Sequence, residues 1–150
     1  MIRKVIAAVC MSISCSAAYG QEVVTGRESA GRSTYMKYCA SCHGASAEGQ
    51  ANWQLPNESG ELPAPPHTEK GHTWRHSDRD LVKMITDGWR DPFNQTQRLT
   101  MPAFKGVLTP SEIKNVVDYL RTLWTPEQQA FQREQGMAEE PNSQPSQVSK

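Results

Sequence analysis

Cys39-Ala40-Ser41-Cys42-His43 is the most informative stretch of the chain. Two thiols separated by two residues can add to neighbouring vinyl groups of one porphyrin, and the histidine that follows is placed to coordinate the iron. Cys-x-x-Cys-His is the attachment signature of c-type haem. The motif therefore predicts one haem per chain, covalently held by Cys39 and Cys42, with His43 as an axial ligand of the iron.

Other interpretations of the cysteine pair are open at this point. A thioredoxin-like redox pair needs a βαβ context, and the sequence shows none. A zinc site could recruit His67, His72 and His76, but a structural zinc site usually brings a second close pair of ligands. No cysteine follows Cys42, so haem is favoured over zinc and over a structural disulfide.

The first twenty residues have the pattern of a secretory signal peptide. Basic Arg3 and Lys4 precede an apolar stretch over residues 5–13, and small residues follow. The apolar stretch is shorter than the roughly 20 residues that span a bilayer. We predict a signal peptide over residues 1–20 and a periplasmic, exported protein. The alternative is a lipid anchor on Cys15, which would attach the protein to the membrane.

The charge balance excludes one class of partner. The 150 residues carry 16 basic and 16 acidic side chains, so the formal net charge is +0. A nucleic-acid-binding domain usually carries a basic patch or stripe, which this sequence lacks. We expect no nucleic-acid partner. We expect only weak, transient docking with partner proteins, because no long-range field would steer them.

Capping signals and apolar periodicity predict an all-α domain with long loops. The clearest helix start is Thr109-Pro110-Ser111-Glu112, followed by apolar residues at steps of three and four to about Trp124. A shorter helix is predicted from Asp78 to Asp87. A first helix is predicted from a capping box at Thr25 to Tyr38, where it leads into the attachment motif.

Gly31 lies on the expected inner face of the first helix, together with Tyr35 and Tyr38. A glycine within a helix costs about 1 kcal/mol relative to alanine, so its presence asks for a reason. Either another helix approaches closely at Gly31, or the first turn of the helix is weak and frayed.

Residues 44–70 and 89–100 are predicted to be loops, because Gly, Pro, Ser and Asn are frequent there and periodicity is weak. The proline-rich run in the first loop is stiff and extended. A carbonyl of Pro63 or Pro65 could accept a hydrogen bond from the Nδ1–H of His43 and orient the imidazole.

Met101 is the candidate for the second axial ligand. It lies on a loop, precedes Pro102, and is far enough from His43 along the chain to reach the opposite face of a haem. A thioether ligand raises the reduction potential of the iron. The alternative is a methionine that only fills a gap in the core, the role assigned to Met84.

His72 and His76 have several possible roles. With His67 they could form an accessory copper or zinc site, or they could act as distal acid–base groups of a haem enzyme. We expect exposed or hydrogen-bonded loop histidines instead.

The order of these features resembles the class I (monohaem) c-type cytochromes over residues 25–125. The resemblance implies a cytochrome c-like fold, in which three to five short helices surround one covalently bound haem. It implies attachment at the two cysteines and axial ligation by His43 and Met101. In that family, a glycine and an aromatic residue of the first helix cross an aromatic residue of the last, and the matching residues are Gly31, Tyr35 and Tyr119.

The expected function is electron transfer between a donor and an acceptor redox protein by Fe(III)/Fe(II) cycling, without enzymatic activity. One alternative is a haem enzyme or a gas or redox sensor whose sixth ligand can be displaced. Another is a carrier with an accessory histidine metal site. Residues 126–150 are expected to form a short helix and a disordered tail, because apolar residues are rare from residue 136 onward.

Overall fold

The computed structural model describes the backbone of residues 16–138 and the side chains of residues 26–138. Within residues 16–138, five α-helices and one short 3-10 helix occur in this order: α1 (Ser16–Tyr38), α2 (Ala40–His43), the 3-10 helix (Thr73–Arg75), α3 (Asp78–Asp87), α4 (Pro110–Arg121) and α5 (Pro126–Ala138). Over residues 16–138, β-structure is limited to two isolated bridges. The predicted all-α fold class is confirmed.

Helix α1 is longer than predicted. It begins at Ser16 and continues through Thr25, so the predicted start at Thr25 is wrong. The residues before Thr25 include good helix formers such as alanine, glutamine and glutamate, and a hydroxyl residue followed three residues later by glutamate can also occur in the interior of a helix. Residues 1–15, and with them most of the predicted signal peptide and Cys15, lie outside the described part of the chain.

The crossing of α1 and α4 organises the core. A Cβ added to Gly31 would lie 1.9 Å from the backbone oxygen of Asn115, so the two backbones are almost in contact. The rings of Tyr35 and Tyr119 pack beside this point, with centroids 5.3 Å apart. The close approach of another helix therefore explains Gly31, and the alternative of a weak, frayed first turn is wrong. Helix α4 is buried along one face: Ile113, Val116, Val117, Tyr119 and Leu120.

The predicted starts of α3 and α4 are confirmed by their caps. The Ser77 side chain accepts a hydrogen bond from the backbone N–H of Asp80. Thr109 and Glu112 form a reciprocal capping box. Helix α3 has the predicted bounds, whereas α4 ends at Arg121, three residues earlier than expected. A turn then places the indole Nε1 of Trp124 2.9 Å from the backbone oxygen of His67.

Helix α5 packs over the 3-10 helix, where the rings of Trp74 and Phe131 meet edge to face at 5.5 Å. It continues to Ala138, three residues into the segment that was expected to be disordered, because Gln132 anchors it. The Gln132 side chain is only 2% exposed. Its Nε2 donates to Asp78 at 2.6 Å, and its Oε1 accepts from Arg121 at 3.3 Å. Residues 139–150 lie outside the described chain.

Among the helices that the structure describes, none combines the length and the apolar character needed to cross a bilayer.

Candidate haem-binding site

The attachment motif forms one helical turn directly after α1. The backbone N–H of Cys39 donates to Tyr35 at 2.8 Å, and that of His43 donates to Cys39 at 3.0 Å. Both thiols are free; Cys42 is exposed and Cys39 is half-buried. Burial, with a smaller contribution from neighbouring Cys42, raises the pKa of Cys39 to about 11. Two free thiols on one turn fit the chemistry of addition to vinyl groups, and they disagree with a structural disulfide.

His43 is buried, and its Nδ1 lies 2.9 Å from the carbonyl oxygen of Pro65. A carbonyl can only accept, so Nδ1 carries the proton and Nε2 keeps its lone pair. Burial lowers the pKa of His43, and the hydrogen bond to Pro65 opposes that effect. The neutral imidazole with an available Nε2 is the form that binds iron, so the residues present fit a haem. Of the two proline carbonyls considered, the structure selects Pro65.

His67 lies against His43, a contact that sequence reasoning missed. The two imidazole rings stack with centroids 4.1 Å apart and an interplanar angle of 26°. The Nδ1 of His67 is 2.8 Å from the hydroxyl of Thr73. Burial, followed by the neighbouring His43 and His72, holds the pKa of His67 well below its usual range. The one available signal was the position of His67, two residues after the carbonyl that orients His43.

His72 and His76 form a separate pair, with ring centroids 5.4 Å apart. His72 also stacks on Trp53, at 5.6 Å. Among the described residues there is no group of three or more His, Cys, Asp or Glu side chains that could hold a metal ion. The accessory site built from His67, His72 and His76 is therefore not formed, because His67 faces His43 instead. A zinc site that includes the cysteine pair is not formed either.

Met101 is held by its backbone in a short antiparallel bridge. Its N–H donates to Trp89 at 3.0 Å, and the N–H of Trp89 donates back to Met101 at 3.0 Å. The half-buried side chain packs against the hydrophobic core. The bridge fixes the path of the chain just before Pro102. A fixed backbone suits Met101 if its side chain must point in a defined direction. Its role as an iron ligand remains a prediction.

A polar network joins the two long loops, and it too was missed from the sequence. The buried carboxylate of Glu61 accepts from Arg98 Nη2 at 2.5 Å and from Asn94 Nδ2 at 3.3 Å. The buried carboxylate of Asp91 accepts from the N–H of Leu62 at 2.8 Å and from the indole of Trp89 at 3.2 Å. These contacts tie the loop that follows the attachment motif to the loop that precedes Met101.

Comparison with known proteins agrees with this arrangement. The family model described as cytochrome c oxidase, cbb3-type, subunit III matches residues 26–120, which is more than half of the chain. No curated protein matches the chain, and no solved structure does. The matched range contains the attachment motif, Met101 and both sides of the α1–α4 crossing. A cytochrome c domain transfers electrons through haem. The chain belongs to the c-type cytochrome family described as cytochrome c oxidase, cbb3-type, subunit III.

Proposed function

We propose that this protein is a monohaem electron carrier, in which one covalently bound haem c cycles between Fe(III) and Fe(II). The observation that carries the proposal is the geometry of His43. Its Nδ1 lies 2.9 Å from a backbone carbonyl, which leaves Nε2 available at the end of a turn that bears two free thiols.

Each residue has a separate role in this proposal. The S–H groups of Cys39 and Cys42 would add across two vinyl C=C bonds, so that each addition would form one C–S and one C–H bond. His43 would hold the iron through Nε2, and Met101 would supply a second ligand. The bound haem provides a one-electron couple. The chain itself fixes both ligands and buries the cofactor.

An electron carrier is favoured over an enzyme or sensor because two protein ligands leave no open position on the iron. Little would need to move when the iron changes its oxidation state. The histidines proposed above as distal acid–base groups, His72 and His76, contact each other, and His72 also stacks on Trp53. Redox proteins that dock transiently are the proposed donor and acceptor.

Location is part of the same proposal. The basic and then apolar pattern of residues 1–20 supports export to the periplasm. A covalent haem suits an exported protein, because the cofactor cannot dissociate. A lipid on Cys15 would keep the carrier at the membrane surface; mass spectrometry of the mature amino terminus distinguishes cleavage near residue 20 from acylation at Cys15.

The test of the function is the absorption spectrum of protein produced together with a c-type haem maturation system. The parent is expected to show a sharp reduced α-band and to retain haem through denaturing electrophoresis. The double variant Cys39→Ser/Cys42→Ser should lose the covalent haem, whereas Ser41→Ala, in the spacer of the same motif, should keep it. A parent protein without colour, or with haem that acidic solvent extracts, would contradict the proposal.

A further inference from the structure

We propose that His67 is a positioning residue. By stacking on the face of the His43 imidazole, His67 fixes the plane of the ring that holds the haem iron. The inference rests on the proposed role of His43 as an iron ligand. It concerns a histidine that the attachment motif does not include. The stacked pair, with ring centroids 4.1 Å apart, is the observation from which it starts.

The hydrogen bond to Pro65 does not fully restrain the rotation of the His43 ring about its Cβ–Cγ bond. It holds a single ring atom, Nδ1, and hydrogen-bond directions at a carbonyl oxygen are broadly distributed. The ring can therefore still tilt about its Cβ–Cγ bond. A second ring at an interplanar angle of 26° is in face-to-face contact with it, so a tilt toward that side would meet an atom-to-atom clash.

His67 is itself held firmly enough to act as a fixed surface. Its backbone N–H donates to Ala47 at 2.9 Å, and its backbone oxygen accepts from the Trp124 indole at 2.9 Å. Its Nδ1 pairs with the hydroxyl of Thr73, at 2.8 Å, and Thr73 is only 5% exposed. The rings of Tyr35 and His67 meet in a T-shaped contact, with centroids 6.3 Å apart. Backbone and side chain are thus anchored by residues from several distant parts of the chain.

The plane of an axial imidazole has a measurable electronic consequence. Its π orbital overlaps with the iron d orbitals that lie perpendicular to the ring, so the ring plane determines how unpaired spin is distributed over the porphyrin in the Fe(III) state. Groups that orient a metal ligand tune the metal in this way without touching it. The hyperfine-shifted haem methyl resonances in the NMR spectrum of the oxidised protein report the distribution directly.

The experiment compares variants that separate the stacked face from its anchor. His67→Leu removes the planar face, and His67→Phe keeps a planar face but loses the bond to Thr73. Thr73→Val removes the anchoring hydroxyl while the imidazole stays. His72→Leu is the matched control, because His72 stacks on Trp53 and not on His43. We expect a changed spread of the four haem methyl shifts in His67→Leu, smaller changes in Thr73→Val and in His67→Phe, which both lose the anchoring bond but keep a planar ring, and a spectrum close to the parent for His72→Leu.

Three results would overturn the inference. His67→Leu holoprotein could give the methyl pattern of the parent. His67→Phe could deviate as strongly as His67→Leu, which would make loss of the polar contact the cause. If His67→Leu does not yield holoprotein, an unchanged pattern in Thr73→Val overturns the inference instead. Failure of the function itself has a different signature, since the parent would then lack covalent haem altogether.

Discussion

His43 owes its protonation pattern to a backbone carbonyl and not to another side chain. Because Pro65 contributes its carbonyl oxygen, the hydrogen bond depends on the path of the proline-rich loop. The sequence predicts that such a carbonyl comes from one of two prolines, since the carbonyls of a stiff, extended run are not used in helix hydrogen bonds. Which proline carbonyl is used depends on how the 27-residue loop (44–70) returns to the attachment motif. The stack of His67 on His43 depends on the same path, and local sequence patterns do not contain that information.

Substitution of Met101 tests the second axial ligand. In Met101→Ala the iron should become five-coordinate or bind water, so the weak sulfur-to-iron charge-transfer band of the oxidised protein should disappear. The reduced variant should bind carbon monoxide, and its reduction potential should fall, because the thioether that favours Fe(II) is gone.

The control for this substitution is Met84→Leu on α3, at a half-buried methionine whose predicted role is packing and not iron binding. That variant should keep the charge-transfer band and resist carbon monoxide as the parent does. Retention of the band in Met101→Ala would show that another residue supplies the ligand. Ready binding of carbon monoxide by the reduced parent would instead favour the enzyme or sensor alternative.

The helices differ in how well the sequence predicted them. Helices α3 and α4 begin at capping residues that satisfy otherwise unpaired N–H groups, and such local chemistry is visible in the sequence. The predicted start of α1 lies nine residues too far along the chain, because the Thr25–Glu28 sequence pattern lies inside a helix that begins at Ser16. The sequence allows two explanations of Gly31, since only the packed structure shows which residue faces it across the helix crossing.

Gly31→Ala is expected to destabilise the protein although alanine favours helices. The added methyl group would lie 1.9 Å from the Asn115 backbone oxygen, so α1 and α4 would have to separate. We expect a net loss of about 1–3 kcal/mol in the free energy of unfolding, because overpacking outweighs the helix-propensity gain. Chemical denaturation of the holoprotein measures the change.

Gly26→Ala, in the same helix, is the matched control. A Cβ at this position meets nothing within 4 Å, so the propensity gain of roughly 0.5–1 kcal/mol should appear as added stability. Equal stabilisation by both substitutions would contradict the close crossing.

The ion pair between Glu61 and Arg98 gives the two loops a defined pH response. Hydrogen bonding from Arg98 is the main reason that the pKa of Glu61 is lowered. A carboxylate whose pKa is lower in the folded state than in the unfolded state stabilises the fold. The stabilisation is complete at pH values above the unfolded pKa and is lost as the pH falls through the folded pKa. Glu61→Gln should therefore lower the melting temperature at neutral pH, with a smaller difference from the parent in acid.

The exposed Glu58 of the same loop provides the comparison, since Glu58→Gln should leave the melting temperature nearly unchanged at either pH. A difference between Glu61→Gln and the parent that stays constant from neutral to acidic pH would contradict a role for the ionised carboxylate.

Across the whole molecule, the balance of charge predicts weak electrostatic steering. The formal net charge is +0. Loss of Arg3 and Lys4 with the predicted signal peptide would leave 14 basic and 16 acidic residues, a net charge of −2. Electron-transfer rates with ferricyanide and with a tripositive cobalt complex should therefore change by less than the roughly tenfold that marks electrostatic steering when salt is raised. A larger change with either probe, measured by stopped flow, would reveal a local field that the net charge conceals.

The packing of α1 on α4 joins segments that are made at different times. A chain leaves the ribosome, or an export channel, amino end first, so the turn that bears the cysteines emerges before Trp124. During that interval the segment has neither the α4 backbone against Gly31 nor the Trp124 indole on His67. We expect enzymes that join haem to the nascent polypeptide to act within that interval, before the late-arriving carboxyl-terminal helix closes the crossing.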